Sequence, residues 1–199
     1  VLGVCVALAG MAGGARADNF LLRGFTWFGF LEGTELREAC GPGAPDRLTP
    51  HLDPAEFRAN PKIHCGFSDI TVLAGFLLTR CGIPSFHGPM VAADLARDPD
   101  PLADRFFPSM LEGRGPSTLE LPDADILVPG QAQGRLVGGC LSILAAMVGS
   151  PDELDYEGAI VFFEDVAEGA YRIDRMLGTL IRAGRFDRIS GILIGSLSG

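Results

Sequence analysis

Apolar positions at Ile70, Leu73, Ala74, Leu77 and Leu78 fall on one face of a helix, so the spacing predicts a helix over residues 69–80. Gly82 supplies its stop, because glycine enters the left-handed conformation that closes helices at little cost. Residues 62–67 form a short apolar run suited to a buried strand, and residues 85–89 read as the end of a next strand and its turn. Strand, helix, strand makes a βαβ unit, for which a parallel sheet is the default. Just upstream, Asp53-Pro54-Ala55-Glu56-Phe57 predicts a short helix with Asp53 as N-cap and Pro54 at its first position, ended by Asn60-Pro61.

The second half repeats the alternation. Residues 138–148 read as an apolar helix opened by a glycine pair, and residues 159–163 as a strand. Residues 171–183 follow as an amphipathic helix closed by Gly184, and residues 189–197 as another strand. Between the halves, residues 97–123 carry five prolines and many charges, the composition of a boundary. The fold class is therefore α/β. Residues 1–100 form a Rossmann-like part with a parallel sheet, residues 101–122 a linker, and residues 123–199 a smaller mixed part. The amino-terminal stretch of residues 1–15 is apolar and glycine-rich, too short for a membrane span and without the basic start of a secretory signal. It reads as the remainder of a helix. Residues 20–30 are dense in aromatics with no clean period, and residues 40–45 read as a loop.

Composition narrows the function classes. The chain is 47% hydrophobic with 27 Gly and 14 Pro, which fits a loop-rich globular protein. A formal net charge of -9 and the lack of any Lys/Arg run argue against nucleic acid and anionic membrane as partners. The five cysteines include no C-x-x-C pair, so neither a zinc knuckle nor a disulfide framework is indicated, and reduced thiols in a cytoplasmic protein are the simple reading.

The sharpest chemical feature is Cys65-Gly66-Phe67-Ser68-Asp69, set between the strand and the helix. A serine at a tight strand-to-helix turn has its hydroxyl lifted off the sheet edge, beside backbone N–H groups at the positive end of the helix. That pairs a nucleophile with oxyanion donors. Gly66 is required because a side chain would crowd the turn. Ile70 stands where the second glycine of G-x-S-x-G would be, and by local pattern alone Ser68 reads more readily as a helix cap than as a nucleophile. Glu164 closes an apolar strand, where α/β enzymes collect site residues; Asp165 and Glu168 beside it keep a surface reading open. His64 and Cys65 are neighbours on a strand and point to opposite faces, so they grip no common metal. Arg172 and Arg175, three apart on a helix, face either a carboxylate substrate or solvent.

Four blocks in order resolve the choice at Ser68. Residues 60–71, Phe86-His87-Gly88-Pro89-Met90, residues 134–142, and Phe163-Glu164-Asp165-Val166 leading into residues 171–177 together resemble the serine L,D-carboxypeptidases. These include muramoyl-tetrapeptide carboxypeptidases and microcin-immunity-type hydrolases, and the resemblance runs from about residue 46 to residue 199. It implies a cytoplasmic enzyme of cell-wall recycling that removes a terminal D-alanine from a muropeptide, through an acyl-enzyme and without metal or cofactor. Ser68 matches the nucleophile and Glu164 the acidic member of a Ser–Glu–His triad. The backbone N–H of Asp69 matches the oxyanion donor, and His87 and Arg172 take substrate-binding or pocket-lining parts. A homodimer is implied by resemblance alone. The family's histidine lies on a loop downstream of the strand at residues 189–197, and none of His51, His64 and His87 matches it. Its upstream glycine-rich loop has no counterpart in residues 20–45. A polypeptide of these 199 residues is therefore expected to act as a fragment with little activity, the alternative being an inactive remnant or a peptide-binding module.

Overall fold

In the computed structural model, which describes residues 6–7, 48–89, 101–115, 118, 121 and 124–198, the chain builds two three-stranded sheets. The first holds β1 (Val6–Ala7), β2 (Cys65–Gly66) and β3 (Phe86–His87) in the order β1-β3-β2. β2 and β3 run parallel with Gly66 opposite His87, the crossover the βαβ pattern requires, whereas β1 joins antiparallel and makes the sheet mixed. The two described residues of the apolar amino-terminal stretch are thus strand, where a helix was expected. The rest of that stretch, the aromatic segment at 20–30 and the loop at 40–45 lie outside the described residues.

Local chemistry sets the elements around β2. Helix α1 (Pro54–Ala59) starts where Asp53 accepts the Ala55 N–H at 2.8 Å and Pro54 takes the first position. Helix α2 (Ile70–Phe76) continues as a wider π turn through Cys81 and ends at Gly82, whose φ of 70° is the left-handed stop. Leu73, Phe76, Leu77 and Cys81 form a small core with Phe57 of α1. The proline-rich segment expected as a linker carries helix α3 (Pro101–Leu111), with Phe107 buried. Pro101 suits a first turn, where its missing N–H costs nothing.

The second sheet is fully parallel, in the order β4-β5-β6. Its strands are β4 (Leu136–Cys140), β5 (Ile160–Val166) and β6 (Gly191–Ser198), connected through α4 (Leu141–Ala146) and α5 (Ala170–Arg182). Residues 138–148 are therefore not one helix: the glycine pair belongs to the strand, and only its far side is helical. Gly138 and Gly139 sit at φ 145° and 150°. A Cβ on Gly138 would stand 2.6 Å from the Phe162 carbonyl carbon, so the glycines let β4 lie against β5. Helix α5 packs Ile173, Met176, Leu177 and Leu180 against Val137, Leu144, Val161 and Phe163, an i, i+3, i+4, i+7 face as the amphipathic reading requires.

Candidate active site

The turn between β2 and α2 is as tight as its composition demands. Ser68 has φ 59°, one of two non-glycine residues on the positive side among those described. Such a conformation costs about 1–3 kcal/mol and persists where surrounding structure enforces it. A Cβ on Gly66 would come 2.9 Å from the Ile70 side chain, so the crowding inferred for this position is real. The N-cap of α2 is Asp69, not Ser68, and its side chain makes no capping hydrogen bond. The turn is closed by the N–H groups of Ile70, Thr71 and Val72, which donate to the carbonyls of Phe67, Ser68 and Asp69. The Asp69 N–H takes no part in these bonds.

The second sheet brings a carboxylate to the same region. Glu164 pairs with Cys140 across β4 and β5, near the carboxyl end of β5. Opposite it, β6 slips register between Phe163 and Asp165, and Gly195 of β6 is so close that a Cβ there would touch that of Glu164 at 3.0 Å. Irregularities of this kind re-aim side chains at sheet ends. The Glu164 side chain is only 14% exposed, which replaces the surface reading its acidic neighbours had allowed. Its Oε1 lies 3.4 Å from Nε2 of His87, without hydrogen-bond geometry, so the two groups are neighbours that are not hydrogen-bonded. The His87 ring is held edge-on against Phe162 at 5.2 Å and near Phe67 at 6.3 Å. β3 of the first sheet thereby meets β5 of the second through this pair.

Two further residues shape the junction, and pattern reading missed both. Asp165 is 4% exposed and accepts the N–H of Ser142 at 2.8 Å and of Val166 at 2.9 Å, tying the start of α4 to the end of β5. Thr71 is 2% exposed, and its Oγ1 accepts the Cys140 N–H at 3.1 Å. Strand alternation offered a signal for Asp165, since a residue next to a half-buried carboxylate faces the other side. Only assembly of the sheets could reveal Thr71.

The remaining sequence candidates separate. Arg172 is exposed and occupied: it pairs with Glu168 at 3.3 Å, donates to the Tyr171 hydroxyl at 3.1 Å and lies over that ring. Arg175 stacks on the same ring at 5.3 Å. His64 is buried, and burial pushes its imidazole below the ordinary value. Burial also raises the Cys140 thiol to about 11, which leaves it protonated and unreactive. Among the described residues no cluster of three His, Cys, Asp or Glu could hold a metal ion, and no helix is long and apolar enough to cross a membrane.

Parallel strands whose carboxyl ends gather a strained serine and a carboxylate form the arrangement in which α/β enzymes build their sites. The chain belongs to the LD-carboxypeptidase family: the family's N-terminal domain model matches residues 39–88 and its C-terminal domain model residues 133–199. The match thus begins some way upstream of residue 46. A probable murein peptide carboxypeptidase of Bacillus subtilis is 39% identical over 158 residues, covering 78% of this chain and 50% of that protein. The microcin C7 self-immunity protein MccF of Escherichia coli is 29% identical over 194 residues, covering 81% and 56%. The crystal structure of muramoyltetrapeptide carboxypeptidase from Oxalobacter formigenes superposes with a TM-score of 0.63 at 32% identity, covering 77% of this chain and 53% of that one. The chain spans about half the length of the curated relatives it matches.

Proposed function

We propose that this chain carries the nucleophile and acid of a serine L,D-carboxypeptidase that removes a terminal D-amino acid from cell-wall muropeptides. The observation that carries the reading is Ser68 at φ 59° in the β2–α2 turn, with the neighbouring Asp69 N–H outside the turn's hydrogen bonds. Ser68 Oγ attacks the carbonyl carbon before the D-residue while a base takes its proton, and the Asp69 N–H donates to the resulting oxyanion. Collapse breaks the C–N bond and releases the D-amino acid with that proton. Water then hydrolyses the acyl-enzyme and restores the serine. Glu164 orients the base and balances its charge. Its Oε1 is a buried acceptor with no hydrogen bond among the described residues, and such groups call for a partner.

The likeness to murein peptide carboxypeptidases supports the muropeptide as substrate, and the likeness to MccF supports a peptide–nucleotide hydrolase as the neighbouring specificity. His87, which lies beside Glu164, is the stronger candidate for substrate contact, and Arg172, engaged by Glu168 and Tyr171, is the weaker one. The resemblance draws the base from a loop downstream of β6, so a polypeptide of these 199 residues is expected to turn over slowly.

Stoichiometric labelling tests the reading without requiring turnover. With imidazole supplied in solution as the base, a fluorophosphonate probe is expected to modify Ser68 of the 199-residue chain, located by peptide mass mapping, and to leave S68A untouched. Labelling that persists in S68A, or none on the wild-type chain, would overturn it.

A further inference from the structure

Ser68 and Glu164 belong to different sheets, so something must fix the spacing between them. From the hydrogen bonds at the junction we infer that Thr71 is the positioning residue that does so. Its backbone N–H donates to the Ser68 carbonyl at 2.9 Å, which ties it to the nucleophile turn. Its Oγ1 accepts the Cys140 N–H at 3.1 Å, which ties it to β4. Cys140 in turn pairs with Glu164 across β4 and β5. One residue therefore connects the two site residues, through a backbone hydrogen bond, a side-chain hydrogen bond and one strand pair.

The packing leaves this link little freedom. Thr71 is 2% exposed, and a β-branched side chain in a helix has few rotamers. Gly139 accommodates it closely: a Cβ there would lie 2.6 Å from both Oγ1 and Cγ2 of Thr71. If Thr71 merely filled space, valine would serve as well, having the same shape. Valine cannot accept the Cys140 N–H, and a buried strand amide left without an acceptor pulls away from the helix. The role rests on the serine reading above, because it concerns the distance from Ser68 to its acid.

The test compares T71V and T71S in the full 199-residue chain, with the same imidazole present as the base that Glu164 orients and with folding checked by circular dichroism. T71V is expected to slow fluorophosphonate labelling of Ser68 by at least about tenfold, since misplacements of about 1 Å at reacting groups cost up to about 10²-fold. T71S, which keeps the acceptor but loses a methyl group, is expected to restore most of the rate even where it melts earlier. Hydrogen exchange at the Cys140 amide should quicken in T71V and stay slow in T71S. Equal labelling of T71V and wild type, or unchanged exchange at Cys140, overturns the inference and leaves the serine reading intact. A wild-type chain that is not labelled overturns the serine reading and the positioning role together. Should T71V not fold, T71A against T71S carries the same expectation.

Discussion

Gly138 is where the fold is least able to accept a side chain, and G138A makes a demanding test of the β4–β5 register. An ideal Cβ would stand 2.6 Å from the Phe162 carbonyl carbon and 2.9 Å from its nitrogen, nearer still to its oxygen. All three are backbone atoms, so no rotamer change relieves the overlap. Carbon contacts settle at about 3.5–4.0 Å, so β4 would have to retreat from β5 by roughly 1 Å or more. That breaks ladder hydrogen bonds, each worth about 0.5–1.5 kcal/mol net, and leaves buried polar groups costing about 1–3 kcal/mol apiece. The φ of 145° adds about 1–3 kcal/mol of backbone strain for alanine. A loss of about 4 kcal/mol or more follows, a large share of the roughly 5–15 kcal/mol of a typical domain. The control is G149A, at φ 81° but with nothing within 4 Å of its Cβ, which pays the backbone term alone. Urea unfolding followed by circular dichroism measures both variants. A G138A chain within about 1 kcal/mol of wild type, or no less stable than G149A, would refute the register and the steric reasoning built on it.

Two further outcomes follow from burial. Cys140, with its thiol raised to about 11, and Cys81, also raised by burial, should react with iodoacetamide more slowly than the half-buried Cys65; peptide mass mapping of the native chain over time gives the order. His64 is held below its ordinary 6.5 by burial, so the unfolded chain takes up a proton that the folded chain refuses. Its contribution to stability is therefore complete above pH 6.5 and is lost as pH falls below it, at no more than about 1.4 kcal/mol per pH unit. Urea midpoints across that range should fall less steeply in H64Q than in wild type, and parallel curves would count against the assignment.

Short-range signals made much of the architecture legible. Asp53-Pro54 started a helix, Gly82 and Gly184 ended two others, and the apolar stripe of α5 faced the core, because capping and amphipathicity act within a few residues. Ser68 was legible for the same reason: Gly66 and the strand-to-helix switch define its turn locally.

What the sequence by itself determined is the set of such elements, the α/β alternation and, through four ordered blocks, the family. Tertiary structure decided the rest, because it depends on atoms far apart in the chain. Apolar residues 138–148 read as one helix until Phe162 is placed beside Gly138, which makes the first part a strand. Glu164 could have faced solvent; the close approach of Gly195, the register slip in β6 and the packing of β3 bury it against His87. Thr71 carried no local signal of its own, standing beside the apolar face of its predicted helix. Its hydroxyl gains a role only when β4, some seventy residues on, presents a buried N–H that must be satisfied.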